Sequence, residues 1–227
     1  MTPVLPAHDY PWTASDPVED LTPRPETIEG RRLVIGVGSN ASADVMRAKL
    51  ATVATGEPGP PMMRVSLAHL AVGHSAHVSA RGYVPAAPYR APGEILDAVG
   101  AWLTEEEATM LDHTEPNYSR IALSADDYPF FSADSAPDTF SLYASRHGVL
   151  TDPDSTTPVP LGSQAQVIEW LAARLPDRAL HGSADAVCRR LGEPRIGARV
   201  SASMLSAGLA RPSGLPSPEH ETGPLSR

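Results

Sequence analysis

Proline decides where this chain can build regular structure, because it has no amide hydrogen and a fixed φ that exclude it from helix interiors and central strands. The 24 prolines among 227 residues crowd residues 1–25, the stretch Gly56–Pro61, the region 129–160 and the last 17 residues. Both ends therefore read as tails, flexible over residues 1–30 and disordered over the polar, proline-rich 211–227. What lies between reads as one domain over residues 31–150, with a helical extension over 151–210 packed on it. With 41% apolar residues, a chain of this length can fill one hydrophobic core.

Within those limits the elements are marked by local chemistry. Arg32–Val37 is a β-branched apolar run that predicts a buried strand. Gly38–Ser42 follows as a tight turn, with Asn40 or Ser42 as helix cap, and Ala43–Ala54 reads as a helix with Val45, Leu50 and Val53 inward. Met62–Val72, His77–Tyr83 and Glu94–Leu103 read as strands. Thr104 and Glu107 make a capping box for a helix over Glu105–Thr114, which must stop before Pro116 because proline disfavours the α conformation in the residue ahead of it. Tyr118–Ser124 and Thr139–Ser145 read as further strands. Ser163 and Gln166 form a second capping box for a helix reaching Leu175, Ser183 caps another through Leu191, and a last helix is expected over Val200–Leu209.

Charge and cysteine usage narrow the partners. A net charge of −9 repels phosphate backbones and anionic lipid, so neither nucleic acid nor membrane is expected as a partner. Cys188 is the one cysteine, which leaves no intrachain disulfide or cysteine-based metal site and agrees with a cytoplasmic protein. The N-terminal stretch has no basic start followed by an apolar core, so it does not read as a secretory signal.

Three short motifs carry chemistry. Gly36-Val37-Gly38-Ser39-Asn40-Ala41 satisfies the dinucleotide fingerprint, but that fingerprint needs a second parallel strand ending in an acidic residue, and the loop Gly56–Pro61 stands there instead. The same turn can serve as a cradle of backbone amides for a small carboxylate, or as a plain strand-to-helix turn. Gly73-His74-Ser75-Ala76-His77 lacks the final glycine of a nucleophile elbow. His74 and His77, three apart on an extended chain, point to opposite faces and do not form a metal pair; they read as ordinary polar histidines of a turn.

The third motif is Leu103–Arg120. Glu115 falls just beyond the capped helix, where unpaired carbonyls carry partial negative charge. That field works against the ionised carboxylate and makes a proton acceptor suited to neutral pH, provided no cation answers it. The alternative is a solvent-facing loop glutamate.

Taken in order, Val37-Gly38-Ser39-Asn40, an intervening sheet-like region with Pro85 and Pro88, then Leu111-Asp112-His113-Thr114-Glu115 and Tyr118-Ser119-Arg120 resemble the γ-glutamylcyclotransferase family over residues 32–150. The family's tyrosine before Gly-Ser-Asn is replaced here by Val37. The resemblance implies an α+β fold, a small mixed β-barrel with surrounding helices, and no cofactor or metal. It also implies cyclisation of a γ-glutamyl amide to 5-oxoproline with release of the amine. Glu115 would be the general acid/base, with Val37, Gly38, Ser39, Asn40, Tyr118 and Arg120 lining the substrate site. A non-catalytic small-carboxylate binder on the same fold, or a related non-cyclising amide enzyme, stays open beside it.

Overall fold

In a computed structural model of the chain, the described residues are 5–12, 25–53, 59–131 and 136–216. The expected helix end at Ala54 and the terminal residues 217–227 lie outside them. A first helix, α1 (Pro25–Ile28), leads into β1 (Arg32–Gly36), α2 (Ala43–Leu50), β2 (Met62–His74) and β3 (Ala86–Leu103). Then follow α3 (Glu105–Thr114), β4 (Tyr118–Ser124), β5 (Thr139–Ser145) and β6 (Val149–Leu150). The helices α4 (Gln164–Ala172), α5 (Ala184–Leu191) and α6 (Pro194–Ser206) and the short β7 (Ala210–Arg211) complete the chain.

The fold is mixed α+β. Five strands form a sheet in the order β2-β3-β1-β5-β4, with β1 parallel to β5 and every other pairing antiparallel. The stretch after β4 returns to β2: the Ala68 N–H donates to the Pro129 carbonyl at 2.8 Å and the Phe131 N–H to the Ser66 carbonyl at 2.9 Å. The two edges of the sheet are thus drawn together. Leu33, Ile35, Leu67, Leu70, Ile121 and Leu142 pack on the inside of this curl.

On the outer face, Val34 and Leu103 meet Met46 and Leu50 of α2 and Ala108 and Leu111 of α3. Each such leucine removed from water contributes roughly 1.5–3 kcal/mol. Pro88 and Pro92 sit inside β3 without breaking the sheet, because β1 pairs only Val99–Leu103 and leaves the first half of β3 to β2 alone.

Three expectations change. His77–Tyr83 is not a strand: the Ser79 N–H donates to the Tyr83 carbonyl and the Gly82 N–H to the Ser79 carbonyl, each at 2.9 Å, which folds the segment into a turn. At Gly82 φ is +87°, and a Cβ there would collide with the Cys188 carbonyl of α5. Residues 5–12 do not trail as a tail either. They form a strap with Tyr10 and Trp12 buried against Ala86, Val37 and Tyr83, because two large aromatics outweigh the extended bias of the flanking prolines. At the other end, Arg211 pairs with Val149 in a two-stranded ribbon and Leu215 packs on the sheet core.

The C-terminal helices share a second core with Ala76, Val84 and Leu150. They clamp the loop 75–85. The Gln164 side chain accepts the Val84 N–H at 2.8 Å and donates to its carbonyl at 3.0 Å, and Ser201 accepts the Val78 N–H at 2.9 Å. No helix among the described residues is long and apolar enough to cross a membrane.

Candidate active site

The capping box of α3 forms as the sequence predicts: Thr104 Oγ1 accepts the Glu107 N–H at 3.2 Å, and Glu107 Oε2 accepts the Thr104 N–H at 2.9 Å. With its start fixed, the helix ends at Thr114 and leaves Glu115 as its C-cap, φ −118° and ψ 54°. Pro116 explains that ending. Glu115 is not a solvent-facing loop residue. Its side chain is 13% exposed and lines a cavity of about 220 Å³ together with Val37, Ser39, Asn40, Tyr118 and Tyr143.

A cation does answer the carboxylate. Lys49 Nζ donates to Glu115 Oε1 at 2.5 Å and to Asn40 Oδ1 at 2.7 Å, while Asn40 Nδ2 donates to the same Glu115 Oε1 at 3.0 Å. The condition attached to the sequence-based expectation for Glu115 is therefore not met. These bonds fix the carboxylate and leave Oε2 without a partner among the described residues. Lys49 comes from the last turn of α2, one turn beyond the buried Met46, so its stem runs along the packed face and its head reaches the site. It was missed by motif reasoning. The available signal is that it is the one lysine in a chain whose other basic residues are arginines.

The turn after β1 is a single 3-10 turn over Gly38–Ala41, capped into α2 by Ser42 rather than Asn40. As a cradle it is partly spent. The Asn40 N–H is held by the Val37 carbonyl at 3.3 Å. Gly38, at φ +56°, lies directly under the Tyr10 hydroxyl, which a Cβ would strike. Nor does the dinucleotide geometry occur, since β2 follows α2 and pairs antiparallel with β3.

Tyr118 lines the cavity, but its hydroxyl proton goes to the Ala86 carbonyl at 2.8 Å. Burial pushes its pKa well up. Arg120 is not brought to the cavity. It forks onto Asp112 at 3.0 Å through both Nε and Nη2, and Asp112 also accepts the Tyr143 hydroxyl at 2.6 Å. Arg120 therefore steadies α3 and, through Asp112, the cavity wall at Tyr143.

The two histidines are not polar turn residues. Both are buried. His74 donates from Nδ1 to the Val84 carbonyl at 3.3 Å and accepts the Gly162 N–H on Nε2 at 3.0 Å, and burial lowers its pKa to about 4. His77 lines the cavity floor, bonded through Nδ1 to Ser75 Oγ at 2.6 Å and stacked on His147 at 4.4 Å. Burial, and then the neighbouring His147, lower its pKa to about 3. Ser75 is fully buried, with its hydroxyl shared between His77 and Ser145, so it has no access to a substrate as a nucleophile. Among the described residues no cluster suits a metal ion.

A wider cleft of about 890 Å³ adjoins the cavity, lined by Leu5, Trp12, Arg47 and Lys49. Ser39, Arg81, Tyr83, Thr114 and Glu115 line both spaces. The carboxylate thus stands where a small chamber opens into a larger one. Fold and site together define a mixed α+β protein with one partly buried carboxylate at the mouth of a small chamber.

No family model matches the chain, and no curated protein matches it. Among solved structures it is similar to an Arabidopsis thaliana protein known from a solution structure, at 15% identity over 70% of this chain and 88% of that one, TM-score 0.40. It is similar to an uncharacterized human protein at 14% identity over 87% and 94% of the two chains, TM-score 0.40. A glutathione-specific γ-glutamylcyclotransferase from yeast aligns at 11% identity over 79% and 96%, TM-score 0.35.

Proposed function

We propose that the chain cyclises a γ-glutamyl amide to 5-oxoproline and releases the amine, with Glu115 as general acid and base. The observation that carries this reading is the Glu115 carboxylate itself, fixed through Oε1 by Lys49 and Asn40. Its second oxygen is left for a ligand at the mouth of a cavity of about 220 Å³. The motif resemblance over residues 32–150 supports the same chemistry.

The substrate's α-ammonium gives a proton to Glu115 Oε2, and the freed amine attacks the γ-carbonyl carbon. A five-membered tetrahedral adduct forms with negative charge on oxygen. As the carbonyl re-forms, the bond to the leaving nitrogen breaks and that nitrogen takes the proton back from Glu115; the freed carboxylate then takes the second proton of the ring nitrogen, leaving a neutral lactam, and passes it to the amine, which departs as its ammonium. The γ-glutamyl part fits the small chamber and the leaving amine faces the wider cleft. Holding the chain curled replaces an entropically costly search with a positioned ring closure. Lys49 and Asn40 hold the carboxylate in place through these proton transfers.

The tight Lys49 pairing favours one further reading, a non-catalytic binder in which an incoming carboxylate competes with Glu115 for Lys49. Incubating the purified protein with γ-glutamyl amino acids and amines separates the two. Release of 5-oxoproline is expected from at least one of them; saturable binding without any release across the panel contradicts the enzyme reading.

A further inference from the structure

In the turn Gly38–Asn40 the Asn40 amide is bonded to the Val37 carbonyl and the Tyr10 hydroxyl sits over Gly38, so a donor from another element can serve the carbonyl oxygen of a bound amide. The strap over residues 5–12 brings one. Tyr10 lines the cavity beside Glu115 and is 3% exposed. Its ring stacks on Tyr83 with centroids 4.3 Å apart and planes 14° from parallel, and meets Trp12 edge-on at 5.2 Å. The strap is tied down around it. Trp12 Nε1 donates to the Pro6 carbonyl at 2.8 Å, and Arg81 lies over the Trp12 ring at 4.6 Å while donating to the Leu5 carbonyl.

The hydroxyl oxygen accepts the Ala86 N–H at 2.8 Å. A phenol oxygen that accepts an amide hydrogen still has its own proton to give. Among the described residues no acceptor takes that proton. An O–H donor nine-tenths buried, unpaired on its donating side and facing a cavity is a group held ready for a ligand.

The geometry points to Tyr10 as a catalytic residue whose hydroxyl donates a hydrogen bond to the carbonyl oxygen of the bound amide, strengthening as negative charge builds there. This rests on the cyclisation reading above. Burial pushes the Tyr10 pKa up and the Glu115 charge adds to that rise, so the phenol stays protonated and acts as donor, never as base.

The test is Tyr10→Phe in the full chain, which keeps the ring and its stack and removes only the oxygen. kcat should fall about 10²–10³-fold, the usual size for one lost oxyanion donor, with KM within about threefold. Turnover within about twofold of wild type overturns the assignment. So does a gain in turnover, which would mean that the hydroxyl obstructs the substrate.

Should Tyr10→Phe unfold, 3-fluorotyrosine inserted at position 10 keeps the oxygen and its bonds. Its more acidic phenol must raise kcat; an unchanged rate overturns the proposal. Should wild type release no 5-oxoproline from any amide, the cyclisation reading fails and the donor is then read from binding. Calorimetry with 5-oxoproline must show about tenfold weaker binding by Tyr10→Phe. Equal affinity, or no binding by either protein, overturns it.

Discussion

At the scale of single residues, the site turns on how three side chains from distant elements neutralise one another. Lys49 from α2, Asn40 from the turn after β1 and Glu115 from the end of α3 form a closed triangle of hydrogen bonds. Lys49 and Glu115 are only 20% and 13% exposed, so removing either partner leaves the other charge largely desolvated. Lys49→Met should therefore lower unfolding stability by about 1–3 kcal/mol, and the added Glu115→Gln should recover part of it. Urea denaturation of the four proteins in the cycle checks this; purely additive losses would show that the pair is not coupled. Motif reading reached Glu115 and Asn40 because each sits at a conformationally marked place, before a proline and in a glycine turn. It did not reach Lys49 or Tyr10, since neither stands in a local pattern and only tertiary packing brings them to the carboxylate. Arg120 lay within the matching motif yet serves Asp112.

At the scale of elements, what was legible follows from how strongly local chemistry dictates conformation. The start of α3 and of α4 could be read to the residue, because each capping box satisfies two orphan helix donors at once. The strands β4 and β5 begin and end where the sequence places them. The segment 77–83 also reads as a strand, but Gly82 at positive φ and the clamp from the C-terminal helices make it a loop. That loop supplies Ser79, Arg81 and Tyr83 to the site, which gives the C-terminal helices a purpose that the sequence left unstated. Gly82→Ala should cost about 2 kcal/mol or more, because the new Cβ meets the Cys188 carbonyl at a φ that only glycine adopts freely. Gln164→Leu should cost about 1–3 kcal/mol by orphaning the Val84 amide. Each corresponds to a Tm lower by roughly 4–8 °C, read by thermal melts. An unchanged Tm for both would mean that the helices do not brace the loop.

For the whole molecule, two buried neutral histidines link folding to pH. Unfolding releases His74 and His77 to water, where each takes a proton below its ordinary value of 6.5, whereas the folded chain resists protonation down to about 4 and about 3 respectively. The unfolded state therefore binds more protons in that window, and stability rises with pH there. It should be full above 6.5 and fall on acidification by about 1.4 kcal/mol per pH unit for each histidine. Urea midpoints at pH 7.5 and 5.5 test this, and equal midpoints would contradict the buried neutral state. The central claim, that Glu115 moves the protons of an intramolecular ring closure, is tested most directly by comparing 5-oxoproline release from wild type and Glu115→Gln. The glutamine keeps the shape and can still pair with Asn40, but it cannot carry the proton. Turnover should fall at least about 10²-fold while the variant still binds 5-oxoproline. Equal release by the two proteins would contradict the account.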